Sequence, residues 1–317
     1  MLIKGEARTN PNYGKSPKER GVEELLSSSF INLDKPAGPT SHQVTLWVKE
    51  ILGVEKTGHS GTLDPNVSGV LPIGVNRATK LLFHLLLQSK EYVCLMDFHG
   101  DVEEAKIRGA FDHWVGEIEQ MVPVMAAVKR RKRMRRIYDI EILEIEGRHV
   151  LFRAETESGT YIRTLCMDIG KSLVVGAHMT QLRRTRSSVF EEANSFILQN
   201  VLDAYKLWKE NGDERIKKIL LPVESGFSSF PKIVVRDSSI SALCHGADLA
   251  IPGILQIDEK IKGNDKVAII SLKSELVAIG TALISAEEMY ERDSGIAADV
   301  ETVVMEKSTY PKMWKRD

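Results

Sequence analysis

Apolar residues recur along 40–53 at the three- and four-residue steps of an α-helix. These residues are Val44, Trp47, Val48, Ile51 and Leu52. The spacing places them on one helical face. Thr40 and Ser41 carry hydroxyls that can cap the helix start, and Gly53 is typical of a helix end. The pattern predicts an amphipathic helix that follows a short strand over 30–34.

Strand and helix patterns alternate irregularly through the next hundred residues. We predict strands over 92–98, 137–146 and 150–157, a hairpin turn at Gly147, and helices over 78–88 and 161–173. Regular strand–helix–strand alternation is missing, which favours an α+β fold over a doubly wound α/β fold.

The pattern changes at 222–232, where Pro, Gly and Ser predict a linker. Short strand-like segments follow it, separated by glycine-containing turns. They lie at 233–236, 266–272 and 276–279. Such spacing is typical of a small β-barrel domain. Residues 1–29 show little periodicity, so we expect a loop-rich N-terminal arm.

Composition narrows the class of protein. The chain has 317 residues, is 43% hydrophobic, and contains no apolar run long enough to cross a bilayer. The N-terminus has no apolar stretch of the kind found in secretion signals. Cys94, Cys166 and Cys244 are too widely spaced for a disulfide framework or a cysteine zinc site. We therefore expect a cytoplasmic protein without a membrane partner.

The net charge of −1 conceals a basic central region. Residues 121–189 contain 14 Lys and Arg against 7 Asp and Glu. A locally basic stretch in a neutral protein is a candidate for polyanion binding, although a solvated basic face would have the same composition.

The segment 59–65 reads His-Ser-Gly-Thr-Leu-Asp-Pro and holds the candidate chemistry. Proline keeps Asp64 out of the right-handed helical region, and Gly61 allows close backbone approach. A carboxylate presented in this way can act as a covalent nucleophile. On its own, however, an Asp-Pro turn is usually structural.

The surrounding motifs are similar to those of a known family. Leu-Asp-Lys-Pro-Ala-Gly-Pro-Thr-Ser-His at 33–42, segment 58–65 and Gly-Val-Leu-Pro at 69–72 closely resemble the opening motifs of TruB-type pseudouridine synthases. Lys-Glu-Tyr at 90–92, Gly-Thr-Tyr-Ile-Arg at 159–163 and Leu-Arg-Arg-Thr-Arg-Ser at 182–187 match later motifs in order. The residues of these motifs resemble those of the archaeal and eukaryotic branch of the family, which contains dyskerin and its archaeal counterpart.

The resemblance implies a fold and a domain order. It implies an α+β catalytic domain with a central, mostly antiparallel mixed sheet, followed by a small β-barrel PUA domain that binds RNA. The implied regions are an N-terminal arm packing on the PUA domain (1–29), the catalytic domain (30–225), the PUA domain (231–305) and a C-terminal tail (306–317).

The resemblance also assigns catalytic roles. Asp64 is similar to the catalytic aspartate, and Arg163 to its charge partner. An arginine can keep a carboxylate ionised while leaving one oxygen free to attack. Tyr92 and Tyr161 are similar to the two aromatic residues of the pocket, where one ring stacks on uracil and a phenol can help remove the C5 proton.

Further residues are implied to bind the substrate. By the resemblance, His59 helps hold the target nucleotide out of its stack, Leu182 forms an apolar wall, and Lys35 supports the catalytic loop.

Seven of the eight residues at 129–136 are basic. We interpret this segment as a loop that neutralises RNA phosphates, and the resemblance implies a mobile loop that closes over substrate RNA. The candidate RNA-binding residues are Lys129, Arg130, Arg131 and Arg133.

The chain departs from the family pattern at several positions. Val122 and Ala126 differ from the residues usual around the basic segment, Asp168 stands where His is expected, and Ser188 replaces a glycine. None of these is a proposed catalytic residue, so they bear on loop behaviour and substrate preference.

We therefore predict a pseudouridine synthase that needs no metal, nucleotide or redox cofactor. The resemblance implies a box H/ACA guide RNA, rRNA or tRNA substrates, and three small partner proteins: a small scaffold protein on the catalytic domain, a glycine-arginine-rich type and a kink-turn-binding ribosomal type. A second version of the enzyme hypothesis is the unguided modification of the TΨC-loop uridine of tRNA. The alternative is a catalytically silent RNA-binding scaffold, which the presence of Asp64, Arg163 and Tyr92 disfavours.

Overall fold

The computed structural model describes residues 1–123 and 131–313. The chain forms two compact units. One comprises residues 29–220, and the other combines residues 1–28 with 221–317.

The strands within the described residues are, in chain order, β1 (Leu2–Ile3), β2 (Ser28–Lys35), β3 (Thr57–His59), β4 (Ser68–Asn76), β5 (Lys90–Phe98), β6 (Gly116–Met121), β7 (Lys132–Glu146), β8 (His149–Thr156), β9 (Ala177–Ser187), β10 (Phe190–Glu191), β11 (Leu221–Pro222), β12 (Lys232–Val235), β13 (Leu249–Ala250), β14 (Ile254–Ile257), β15 (Lys266–Ile270), β16 (Leu276–Ala282) and β17 (Ile296–Val303). The α-helices are α1 (Val22–Ser27), α2 (Ser41–Leu52), α3 (Leu82–Leu86), α4 (Glu104–Asp112), α5 (Ile162–Ser172), α6 (Leu198–Asn211), α7 (Asp237–Cys244) and α8 (Ala286–Glu291).

The 29–220 unit is built on a sheet with the order β2-β4-β9-β5-β8-β7-β6. Strand β5 pairs antiparallel with both β8 and β9, whereas β4 and β9 are parallel. Side chains alternate across a strand. Accordingly, Tyr92, Cys94, Met96 and Phe98 of β5 are buried in one apolar cluster, to which Leu165 of α5 also belongs. The predicted mixed, mostly antiparallel sheet is confirmed.

The second unit is a β-sheet with the order β1-β14-β12-β15-β16-β17-β13. Strand β1 comes from the N-terminal arm and pairs antiparallel with β14, with Leu2 opposite Ile257. The arm is also held by Lys273, whose Nζ donates to the carbonyl oxygens of Asn10 and Gly14, among others. The arm and the β-rich segment thus share one hydrogen-bonded unit.

Several sequence-based expectations are corrected. The basic segment is not wholly a loop, because Lys132 onward belongs to β7, whose ladder with β6 pairs Lys132 with Met121. The helix predicted over 78–88 is a 3₁₀ turn (Arg77–Leu81) followed by the short α3.

Other corrections concern the expected linker, the N-terminal arm and two helices. The expected linker is folded, since Phe227 and Phe230 are buried and contact each other edge to face at 5.2 Å. The arm contains α1, where Val22 and Leu25 are buried. Helices α4 and α6 were not predicted, although in α6 the apolar residues Val201, Tyr205 and Trp208 fall at helical steps. Within the described residues, no helix combines the length and apolarity required of a membrane span.

Candidate active site

Asp64 lies in the loop between β3 and β4, and the hydroxyl of Ser41 fixes the residue before it. The Ser41 Oγ accepts a hydrogen bond from Leu63 N at 2.8 Å and donates one to Leu63 O at 3.0 Å. Val67 N donates to Asp64 O at 3.0 Å, which closes a turn around the aspartate. The first residue of α2 therefore positions this loop, as well as beginning its own helix.

Lys35 supports the same loop from inside the protein. Its ammonium is buried and donates to the carbonyl oxygens of Pro36 (2.8 Å), Pro65 (3.0 Å) and Val67 (2.8 Å). Burial lowers the pKa of Lys35, the charge of Arg184 lowers it further, and Asp64 opposes both effects. The structure thus brings Lys35 behind the loop that carries Asp64.

Arg163 forms a hydrogen-bonded ion pair with Asp64. The guanidinium Nη2 donates to Asp64 Oδ2, and both side chains are about half exposed, at 46% and 53%. Arg163 reaches Asp64 from the first turn of α5. This contact engages Oδ2 and not Oδ1, so the second oxygen of the carboxylate can approach a substrate.

Arg184 lies beneath the loop and was missed by sequence reasoning. Only 1% of it is exposed, and its guanidinium donates to Val70 O at 2.7 Å and Gly61 O at 3.2 Å. Burial lowers the pKa of Arg184, while the interaction with the nearby Tyr92 raises it. Arg184 was visible only as one basic residue in a motif, since its partners lie far away in the sequence.

Gly69 allows β4 to approach the backbone of Arg184. It pairs in parallel with Arg184, and a Cβ at this position would lie 2.2 Å from Arg184 O. Its φ of +106° is also a conformation that glycine tolerates best. A larger residue would push apart the strand that supports the Asp64 loop.

Tyr92 and Leu182 lie on the neighbouring strands β5 and β9. In this ladder Tyr92 is opposite Arg184, and Leu182 is opposite Cys94. Tyr92 is largely buried, and Leu182 packs at the edge of the same apolar cluster, which also contains Leu63 of the catalytic loop. The aromatic ring and the apolar wall expected from the sequence therefore share the cluster that reaches the Asp64 loop.

His59 ends β3, five residues before Asp64. Burial lowers its pKa, and the positive charges of Arg184 and His42 add to the effect. Its Nδ1 is buried and has no hydrogen-bond partner among the described residues. The imidazole is thus favoured in its neutral form, with one nitrogen unused by the protein.

Lys90 is also buried near the Asp64 loop. Like Arg184, it was not singled out from the sequence. It donates to the carbonyl oxygens of Leu86 and Gln88 and to the hydroxyl of Ser158. Burial lowers the pKa of Lys90 to about 7, and the charge of Arg184 contributes. Its methylene chain passes 3.9 Å from where a Cβ on Gly61 would lie.

The remaining predicted residues lie around the sheet edge. Tyr161 is half-buried directly before α5. Arg131 is exposed, whereas Arg133 is half-buried in β7 with its Nε unpaired. Lys129 and Arg130 lie outside the described residues. In the part of the chain that is described, no group of three or more His, Cys, Asp or Glu could hold a metal ion.

Comparison with known proteins places this site in a family. The model described as "TruB family pseudouridylate synthase (N terminal domain)" matches residues 49–162, and "tRNA pseudouridylate synthase B C-terminal domain" matches 163–228. The chain is 50% identical to the probable tRNA pseudouridine synthase B of Archaeoglobus fulgidus, over 99% of this chain and 97% of that protein. The chain belongs to the TruB family of pseudouridine synthases. The predicted enzyme class is thereby confirmed.

Other TruB-family relatives and domain models agree. The probable tRNA pseudouridine synthase B of Methanocaldococcus jannaschii is 48% identical, over 100% of this chain and 94% of that protein. A PUA domain model matches 231–304, and the DKCLD (NUC011) domain model matches 1–45. The PUA match confirms the fold predicted for the β-rich segment.

Solved structures of TruB-family complexes superimpose on the whole chain. The chain matches a protein in the structure of an H/ACA RNP bound to a substrate RNA containing 2'-deoxyuridine, with a TM-score of 0.92, 49% identity, and coverage of 99% of this chain and 96% of that one. It also matches a protein in the crystal structure of a Cbf5-Nop10-Gar1 complex, with a TM-score of 0.93, 51% identity, and coverage of 98% and 96%.

Proposed function

We propose that this pseudouridine synthase modifies uridines selected by a box H/ACA guide RNA, as the catalytic subunit of a ribonucleoprotein. The observation that carries the proposal is the Asp64–Arg163 pair, held in a loop supported by buried cations, in a chain similar over its whole length to a protein of a substrate-bound H/ACA particle. Ribosomal RNA is the proposed substrate class, and the cytoplasm the proposed compartment.

In the proposed mechanism the free oxygen of Asp64 forms a transient covalent bond to the target nucleotide. The bond from N1 to the ribose C1′ breaks, the uracil turns, and C5 bonds to C1′. The bond to Asp64, at C1′ or at C6, breaks as the product forms. The C5 proton then leaves and N1 takes up a proton. The proposed acceptor of the C5 proton is Tyr92 in its phenolate form, opposite the buried Arg184 in the β5–β9 ladder. Arg163 orients the Asp64 carboxylate through their ion pair.

The other proposed roles concern the flipped nucleotide. His59 and Leu182 line the pocket, Tyr161 stacks on the uracil, and Lys35 holds the catalytic loop. The basic segment contacts RNA phosphates through Lys129, Arg130, Arg131 and Arg133.

The proposed partners are a guide RNA and three small proteins. These are a small scaffold protein on the catalytic domain, a glycine-arginine-rich type and a kink-turn-binding ribosomal type. The likeness to a protein solved with Nop10 and Gar1 supports the first two, at 51% identity.

A second proposed activity is the unguided modification of tRNA in its TΨC loop. It is favoured by relatives named probable tRNA pseudouridine synthase B, and by the match of the tRNA enzyme C-terminal domain to 163–228.

A single-turnover assay on RNA labelled at uridine tests both activities. The enzyme is combined with an rRNA fragment with and without its guide and the small proteins, and separately with tRNA alone. Guide-dependent product on rRNA supports the first proposal, and product on tRNA alone supports the second. No product in any arm, with RNA still bound, would leave the scaffold alternative.

A further inference from the structure

A polar residue occupies a core position in β6. Ile118 and Gln120 are buried, whereas Glu117, Glu119 and Met121 are exposed. The Gln120 side chain is only 1% exposed. Glutamine is mostly exposed in proteins, and a buried amide needs hydrogen-bond partners. An apolar residue would fit the alternation of buried and exposed positions along β6 equally well. The presence of an amide therefore indicates that its hydrogen bonds matter.

The Gln120 amide hydrogen-bonds both main-chain groups of Tyr161. Tyr161 N donates to Gln120 Oε1 at 3.0 Å, and Gln120 Nε2 donates to Tyr161 O at 3.2 Å. The same carbonyl accepts from Leu165 N at 3.0 Å, the first hydrogen bond of α5. One side chain therefore fixes the peptide groups on both sides of Tyr161, immediately before the helix that carries Arg163.

Strand β7 holds the preceding turn from a second side. Arg136 N donates to Glu157 Oε2 at 3.0 Å, and Glu157 N donates to Arg136 O at 2.8 Å. The Arg135 guanidinium lies 3.1 Å from where a Cβ on Gly159 would be. Side chains and backbone of β6 and β7 thus both hold the turn that leads to Tyr161.

We infer that Gln120 is a positioning residue for the isomerisation, acting through the main chain of Tyr161. By fixing both peptide groups it sets the direction of the Tyr161 ring and the start of α5, and so the approach of Arg163 to Asp64. This inference rests on the roles proposed above for Tyr161 and Arg163.

Two substitutions separate positioning from general stability. Gln120→Met keeps the length of the side chain and removes both hydrogen bonds. Small misplacements of reacting groups can cost about a hundredfold in rate. We expect the single-turnover rate to fall by about ten- to a hundredfold, with RNA affinity within about twofold of wild type.

Gln120→Glu adds a pH signature. An ionised carboxylate can accept from Tyr161 N but turns a lone pair toward Tyr161 O, whereas a protonated carboxyl can donate there as the amide does. The rate of this variant relative to wild type should therefore recover as pH is lowered from about 8 to about 5.

Charged groups around position 120 change the pH range over which the rate of Gln120→Glu recovers, but they do not abolish the recovery. Arg133 is directly opposite Gln120 in the β6–β7 ladder, and Arg135 and Glu157 lie at the adjoining turn. Arg133 favours the ionised carboxylate and moves the recovery to lower pH, whereas burial and Glu157 move it upward. Gln199→Glu is the matched control, since Gln199 is exposed on α6 and should give a flat ratio.

Wild-type single-turnover rates in both variants would overturn the inference. So would parallel losses of rate, affinity and melting temperature with no recovery in acid, because those indicate ordinary structural support. If Gln120→Met does not fold, the pH profile of Gln120→Glu decides. Tyr161→Ala is measured separately: a full rate there would reject the proposed role of Tyr161, whatever position 120 shows.

Discussion

At the scale of single residues, the proposed chemistry centres on Asp64, a carboxylate with several basic side chains nearby. Lys35, Lys90 and Arg184 are buried near the Asp64 loop and bond mainly to backbone carbonyl oxygens, while Arg163 pairs with the carboxylate itself. Carbonyl dipoles disperse these charges without adding a competing anion. Several positive charges therefore lie close to the loop that carries Asp64.

Asp64→Asn should abolish isomerisation and leave the fold and RNA binding intact. The amide is isosteric but is not a comparable nucleophile, so we expect the single-turnover rate to fall by at least about a thousandfold. Asp112→Asn, on the exposed face of α4, is the control and should be fully active. Pseudouridine above background in the Asp64→Asn protein would reject the nucleophilic role.

Lys90 should make stability depend on pH. Its pKa is about 7 in the folded protein and near 10.5 when unfolded, so between these values the unfolded chain binds more protons. The free energy of unfolding should therefore rise from about pH 7 to about pH 10. Below pH 7 both states are protonated and the destabilising contribution is fully present.

Lys90→Met should remove this rise, which urea unfolding at a series of pH values can measure. Lys56→Met, at an exposed site, is the control and should keep the wild-type slope. Identical pH profiles for the wild type and the Lys90 variant would show that Lys90 remains charged throughout.

At the scale of elements, the close parallel pairing of β4 with β9 supports the loop that contains Asp64. Gly69→Ala should destabilise the protein by at least about 3 kcal/mol, because the new Cβ meets the Arg184 backbone. Gly116→Ala is a matched control, since its φ of +107° is the same but nothing lies within 4 Å. We expect it to cost about 1–2 kcal/mol. Equal losses in thermal unfolding would show that backbone strain, not the contact, requires Gly69.

The position of residues 132–136 in β7 refines the expected behaviour of the basic segment. If the segment closes over bound RNA, replacing Arg130, Arg131 and Arg133 by alanine should reduce the single-turnover rate far more than the affinity. Arg133 is half-buried in β7, so its replacement alone should lower the melting temperature more than that of exposed Arg131. A large affinity loss with an intact bound-state rate would make the segment an electrostatic tether.

At the scale of the molecule, the N-terminal arm belongs to the same unit as the β-rich segment. Asp237 Oδ2 accepts from Thr9 Oγ1 and Asn10 N, and Glu275 accepts from Lys15 N and the Tyr310 hydroxyl. Burial and the adjacent Glu275 raise the pKa of Tyr310. Asp237 Oδ2 and both carboxylate oxygens of Glu275 therefore accept hydrogen bonds from residues far away in the sequence.

Deleting residues 1–20 should destabilise the C-terminal unit selectively. Each buried charge left without a partner costs about 1–3 kcal/mol, and hydrogen exchange should show faster opening of β14 and β16 than in wild type. Glu259→Gln is the control, because it removes only the exposed pair with the N-terminus, worth at most about 1 kcal/mol. Unchanged exchange in the deleted protein would show that the arm is dispensable for this unit.

The sequence by itself determined the family, the helix α2 and the β7–β8 hairpin, and it singled out Asp64 as the proposed nucleophile. These depend on local information: apolar periodicity, capping residues, a turn glycine and ordered motifs. The same information placed the basic segment in a loop. Charge alone does not show whether a basic segment is a loop or a strand paired with its neighbour.

Only the tertiary structure decided the partners of Arg184, Lys90 and Gln120. Each was one polar residue in a strand or motif. Arg184 and Gln120 bond peptide groups far away in the sequence, and Lys90 bonds the nearby carbonyls of Leu86 and Gln88. Burial makes such hydrogen bonds obligatory, and no periodicity in the chain encodes which distant peptide group will satisfy them.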